Sequence, residues 1–247
     1  MIPENLKSFR SQYQIDETSA KTDKIIRVVS NGINNYFNKY HPSLRKPVIA
    51  GGAIRDYFFG LMPKDYDIFF DISDMDENEG DDAATILAYE LKDYLGNDFK
   101  KYDTFRVDFL AYEKLTNKGK AFSVYNLIGP EENNPDLQLI VCNSDLQDPS
   151  VFIEDFDYEL VKCYFDPSTM SYTFSEAFQE ALKKEKPLSC SNLETKNRIS
   201  VFQNRLSKKN PSVKPFEIQQ YEKLLKTNKT NQFNVRYRLF VTTEVGF

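Results

Sequence analysis

An α+β fold is what this sequence predicts, and three observations carry the expectation. Strand-like runs and helical-period segments alternate between residues 19 and 95. Several β-like runs then crowd residues 104–142. Beyond Pro167 the spacing of apolar residues turns helical.

Taken in order, residues 1–18 are polar and without a clear period, which predicts an arm or a short helix. From Ser19 to about Tyr40, Ile25, Ile26, Val29, Ile33 and Phe37 recur at helical spacing, and Pro42 and Pro47 punctuate the exit. Val48–Ala50 reads as a strand that stops at Gly51-Gly52. Ala53 to about Phe59 reads as one or two helical turns closed by Gly60. Asp65–Ile72 is rich in aromatic and β-branched residues and reads as a strand. The acidic stretch Asp74–Asp82 reads as a loop, and Ala83 to about Leu95 as an amphipathic helix with Ile86, Leu87, Leu91 and Leu95 on one side.

Strands are expected over Thr104–Ala111, Ala121–Ile128 and Leu137–Cys142, with a hairpin-like turn at Asn117-Lys118-Gly119. Pro149–Asp155 reads as the start of a helix. Helices are further expected over Ser175–Lys186, Glu194–Lys208 and Pro215–Lys226, and a strand-like pattern over Phe233–Val245. The organisation this implies is an N-terminal helical arm (1–45), a core (46–170) and a mainly helical, basic C-terminal region (171–247).

Composition bounds the chemistry. Three cysteines, Cys142, Cys163 and Cys190, are odd in number and far apart, which fits reduced thiols in a cytoplasm. His41 is the single histidine, so neither a Ser-His-Asp triad nor a zinc cluster is expected. Acid–base work falls to carboxylates or to a metal. No long apolar stretch predicts a membrane span. The net charge of −5 is unevenly spread. Residues 1–180 carry 18 basic against 32 acidic residues, and residues 181–230 carry 12 against 4. An acidic body with a basic appendage is expected where the appendage meets a phosphate backbone. Basic helices are also often plain solvated faces.

The informative segment runs from Gly51 to Ile68: Gly-Gly-Ala-Ile-Arg-Asp-Tyr-Phe-Phe-Gly-Leu-Met-Pro-Lys-Asp-Tyr-Asp-Ile. A strand ends in two glycines and a helix begins, which lets backbone N–H groups approach an anion. Asp65 and Asp67 alternate on a strand, so both point to one face. Two carboxylates facing such a turn make a magnesium site, because Mg²⁺ takes a few carboxylates together with waters and substrate phosphates.

This combination closely resembles the signature of the poly(A)-polymerase and CCA-adding-enzyme (class II) branch of the DNA polymerase β-like nucleotidyltransferases, with Ile54 in place of a valine. The resemblance implies a mixed β-sheet flanked by helices and followed by a small helical region. It implies that Asp65 and Asp67 bind Mg²⁺ or Mn²⁺, and that Gly51 and Gly52 cradle an NTP's triphosphate. Arg55 would lie near the triphosphate or pair with Asp56; Lys64 falls in the same nucleotide-binding stretch. The family's third acidic position corresponds to Gln138, with Asp136 two residues away on the same strand face as its substitute. The Asp155–Tyr164 segment is similar in frame to another family motif, so Asp157 takes the place of that motif's aspartate, while Asp155 and Phe156 replace its two arginines.

The implied reaction moves a nucleoside monophosphate from an NTP to a hydroxyl, and the implied acceptor is an RNA 3′ end held by the basic region 183–229. A protein hydroxyl as acceptor, or a degenerate fold serving as a binding or assembly subunit, are the alternatives. The Leu137–Ile140 strand and the Phe156-Asp157 segment look more like divergent, stand-alone members of viral or phage type. In the basic region Phe202, Phe216 and Tyr221 could stack bases, but their helical spacing favours core.

Overall fold

A computed structural model describes residues 2–13, 16–98, 106–116, 119–128, 136–143, 148–190 and 192–220. Helix α1 spans Glu4–Arg10 and α2 spans Glu17–Tyr40. Asp16 caps α2, its side chain accepting from the Thr18 N–H at 3.0 Å. Ile25, Ile26, Val29, Ile33 and Phe37 form the buried stripe that their spacing predicts.

Strand β1 (Val48–Ala50), α3 (Gly52–Phe58) and β2 (Asp65–Asp71) follow as expected. Helix α4 begins at Glu77 and runs to Asp98, so two thirds of the acidic stretch read as a loop is helix, and of its expected apolar side Leu87, Leu91 and Leu95 are buried whereas Ile86 is exposed. Acidic residues suit a helix's first turns, where they meet the positive end of its dipole, and the Asp76 side chain accepts from the Asn78 N–H at 2.9 Å.

Strands β3 (Arg106–Thr116), β4 (Gly119–Ile128) and β5 (Asp136–Asn143) lie close to the runs expected for them. A short helix, α5 (Pro149–Phe152), and two 3₁₀ turns, Ile153–Asp155 and Glu159–Val161, lead to β6 (Cys163–Asp166) and β7 (Ser171–Phe174). This hairpin corrects the expectation that the chain turns helical at Pro167. It also carries the sheet beyond residue 170. Its four-residue strands are too short to display a period, and its turn is set by Asp166, whose side chain accepts from the Ser168 N–H at 2.7 Å.

Helices α6 (Glu176–Lys183) and α7 (Leu193–Lys209) stand where helices are expected, separated by β8 (Leu188–Cys190). The third expected helix, from Pro215, is replaced in its described part by β9 (Ile218–Gln220), which pairs in parallel with β8. The remainder of that helix, Tyr221 and the Phe233–Val245 pattern lie outside the described residues.

The main sheet has seven strands in the order β3-β4-β5-β2-β1-β6-β7. β2 and β5 are parallel and the other neighbours antiparallel. It is the mixed sheet flanked by helices that an α+β reading predicts. On β2 the parity is clean: Tyr66, Ile68 and Phe70 are buried, whereas Asp65, Asp67, Phe69 and Asp71 alternate with them. The buried set meets the helices, as in the edge-to-face contact of Phe37 with Phe70 at 5.5 Å.

Helix α7 is fastened to this body by charge as well as by Ile199, Phe202 and Leu206. Asp56 of α3 is 2% exposed. It accepts from Arg55 Nη2 at 2.6 Å and from Arg205 Nη1 of α7 at 2.7 Å. Arg205 also donates to the Met62 carbonyl, and Lys209 to the Gly60 carbonyl. Removing one member of such a buried set strands the others. Asp56→Ala is expected to cost about 3–5 kcal/mol in urea denaturation. A loss under about 1 kcal/mol would show that α3 and α7 are held by apolar packing alone.

Candidate active site

The site grows out of the β1–α3 turn. Gly51 has φ 80° and ψ −133°, a conformation that side chains other than glycine's adopt only under strain. A Cβ there would also meet the Phe156 ring at 3.4 Å. The Gly51 N–H is engaged by the Cys163 carbonyl of β6 at 2.9 Å. The amides that open α3, beginning with Gly52, have no acceptor within the helix. Gly51 itself shapes the turn.

Asp65 and Asp67 share the sheet face that looks away from α2 and α4. In the parallel β2–β5 ladder Asp65 stands opposite Asp136, and Asp67 opposite Gln138. Asp136 is thus brought beside Asp65, one row from the position where the resemblance expects an acid. The Asp67 row crosses the sheet as Tyr164, Ala50, Asp67, Gln138 and Asn126. The buried Asn126 Oδ1 has no hydrogen-bond partner among the described residues. An aromatic wall closes one side: Phe69 and Phe152 are 4.6 Å apart, Phe152 and Phe156 are 5.1 Å apart, and all three pack against Val48, Ala50, Ile153 and Tyr164. Sequence reasoning missed this wall, because its members come from three separate elements.

The remaining expected nucleotide-binding residues divide. Arg55 lies beside Gly52, with Nη2 3.6 Å from where a Cβ would sit. Its donors, however, turn to Asp56 and to the Tyr158 hydroxyl, and its guanidinium stacks 4.5 Å from the Phe202 ring. Of the two readings of Arg55, the geometry is that of the pair with Asp56. Lys64 is exposed, and its carbonyl accepts from the Asp136 N–H at 3.2 Å. Asp157 accepts from Arg198 of α7 at 3.1 Å and from Thr195 at 3.4 Å. Arg198 thereby joins the site's wall from a helix that sequence reasoning assigned to RNA binding. Its spacing of seven residues from Arg205, with Phe202 between, was the available signal.

Burial pushes the Asp67 carboxyl up to about 7; the charge of Asp65 adds to the shift, and Arg198 opposes it. Two carboxylates so placed are the donor set Mg²⁺ favours, with waters and phosphates completing its shell. Among the described residues no group of three His, Cys, Asp or Glu is placed to hold a metal. A cavity of about 540 Å³, lined by Arg10, Arg27, Tyr57 and Tyr172 among others, lies apart from the two carboxylates. Among the described residues no helix is long and apolar enough to cross a membrane.

The raised carboxyl fixes a pH dependence. The folded state holds the Asp67 proton more tightly than the unfolded chain does, so this stabilisation is full below about pH 4 and is lost as pH rises through about 7. Without divalent metal, Asp67→Asn is expected to melt higher than the wild-type protein at pH 8, with the difference vanishing near pH 4. Thermal melts in a chelator would check this; equal melting at pH 8 would contradict the shift.

A search of curated proteins returns no match. Among solved structures, a CCA-adding enzyme in complex with ATP is similar at 13% identity and a TM-score of 0.45, over 83% of this chain and 44% of that one. The Thermotoga maritima CCA-adding enzyme complexed with tRNA is similar at 11% identity and a TM-score of 0.42, over 87% and 42%. A tRNA-processing enzyme in its apo form is similar at 14% identity and a TM-score of 0.41, over 89% and 45%. The chain spans less than half the length of each. Residues 20–185 match the family model described as Gabija anti-defense 2 family protein, a span that takes in β1, the glycine turn, both carboxylates, β5 and Asp157. With more than half of its length matched by that model, the chain belongs to the Gabija anti-defense 2 family.

Proposed function

We propose that this protein is a metal-dependent nucleotidyltransferase that moves a nucleoside monophosphate from an NTP to a hydroxyl and releases pyrophosphate. The observation that carries the reading is the placement of Asp65 and Asp67 on one sheet face at the glycine turn, with Asp136 in register beside Asp65. A bound Mg²⁺ would neutralise phosphate charge and orient the triphosphate. Asp65 and Asp67 would hold it. The α3 amides from Gly52 onward receive a phosphate. Asp136 takes the proton of the acceptor hydroxyl as its oxygen bonds to the α-phosphorus and the bond to the bridging oxygen breaks. The aromatic wall of Phe69, Phe152 and Phe156 excludes water from one side.

The acceptor in this reading is an RNA 3′ end, supported by the exposed Lys183, Lys196, Lys208 and Lys214 of the basic region. A second reading places the nucleotide on a protein hydroxyl of a defence component. Two observations favour it: the family is described as anti-defense, and Arg205 and Lys209 of the same basic region are turned inward onto Asp56, Met62 and Gly60. In the non-catalytic alternative, Gln138 in the row of Asp67 marks a binding subunit.

Incubation with each α-labelled NTP, Mg²⁺ or Mn²⁺, and extracts of cells with and without Gabija separates the three. Label on RNA, lost in an Asp65→Ala/Asp67→Ala variant, is the expected result. Label on protein moves the acceptor to the second reading. An absence of label with every nucleotide and both extracts contradicts catalysis.

A further inference from the structure

Helix α7 presents Arg198, Phe202, Arg205 and Lys209 at spacings of four, three and four residues, which is one helical face. That face lies along the segment leading into β2. Phe202 is buried under the Arg55 guanidinium, Arg205 grips Asp56 and the Met62 carbonyl, and Lys209 grips the Gly60 carbonyl. At its leading end Arg198 contacts Asp157 at 3.1 Å and Glu194 at 2.9 Å. Asp157 is flanked by Phe156, which packs on Gly51, and by Tyr158, which binds Arg55. Arg198 therefore stands at the rim where the glycine turn meets the carboxylate face. Its side chain is 57% exposed, against 26% for Arg205 and 19% for Lys209, so it has room to reorient where they do not.

A divalent cation leaves a triphosphate only partly neutralised, and arginine's planar fork suits the remaining oxygens. Of the described cations beside the turn, Arg55 is engaged by Asp56 and Tyr158 and Lys162 by Glu154, while the exposed Lys64 offers a point charge without that fork. We propose that Arg198 receives the phosphates of the incoming NTP, the part that leaves as pyrophosphate, exchanging its carboxylate partners for them. This rests on the nucleotidyl-transfer reading of the same site, and it makes α7 a component of the active site, with Arg198 as its phosphate-binding residue.

Isothermal titration of the full chain with Mg·ATP, Mg·GTP, Mg·CTP, Mg·UTP and Mg·pyrophosphate tests it. Arg198→Ala is expected to weaken the binding of pyrophosphate and of the preferred nucleotide by about ten- to a hundredfold. Arg198→Lys, which keeps the charge and loses the fork, should weaken it several-fold and serves as the deciding variant if the alanine form does not fold. Glu194→Gln, which releases one competing carboxylate, should bind as tightly as wild type or more tightly. A merely structural ion pair predicts instead that Arg198→Ala lowers the melting temperature and leaves both affinities unchanged, which would overturn the inference. Wild-type protein that binds none of the five ligands would overturn the reading of the site itself, and this inference with it.

Discussion

The carboxylate of Asp56 is the charge around which the site is assembled. It is almost wholly buried, and a buried ion persists only when its hydrogen-bonding capacity is met. Arg55 meets it from the next position in the chain, and Arg205 meets it from 149 residues away. Because Arg205 also holds Met62, and Lys209 holds Gly60, the requirement of one ion fixes the loop between α3 and β2. Asp65 follows Met62 by three residues, so the same bonds set where β2 begins. Arg55 completes the frame by reaching the Tyr158 hydroxyl, which anchors the segment carrying Phe156 and Asp157.

Sheet parity does the rest. A strand whose alternate residues are Tyr66, Ile68 and Phe70 must turn them toward the helices, and this throws Asp65 and Asp67 onto the opposite face. The parallel pairing of β2 with β5 then decides their neighbours. Asp136 falls beside Asp65 and Gln138 beside Asp67. Burial raises the pKa of Asp67 and the charge of Asp65 raises it further, a tension that a divalent cation would relieve.

Much of this was legible in the sequence because it is local. The β1–turn–α3–β2 unit is contiguous, its punctuation is glycine and proline, and its two aspartates are two residues apart. The stripe of α2 was readable for the same reason, and that of α4 except for the exposed Ile86, although the helix-stabilising role of acids such as Asp76 was mistaken for a loop signal. What the sequence hid is long-range. Nothing near Arg55 says that its partner is settled, or that Arg205 shares it. Nothing near Asp157 announces Arg198. The β6–β7 hairpin and β9 escaped because strands of three or four residues leave no period to read. Charge counting also misled in one respect. The excess of basic residues in 181–230 suggested an outward-facing surface, yet Arg205 and Lys209 are drawn inward by Asp56 and by two backbone carbonyls.

The most direct test of the site is a crystal structure with Mn²⁺ and a non-hydrolysable NTP analogue, located by the anomalous signal of the metal. The expected result is a metal between the carboxylates of Asp65 and Asp67 with the analogue's phosphates on it, reaching toward Gly52. Metal or nucleotide found elsewhere, for example in the cavity lined by Arg10, Tyr57 and Tyr172, with Asp65 and Asp67 untouched, would contradict it.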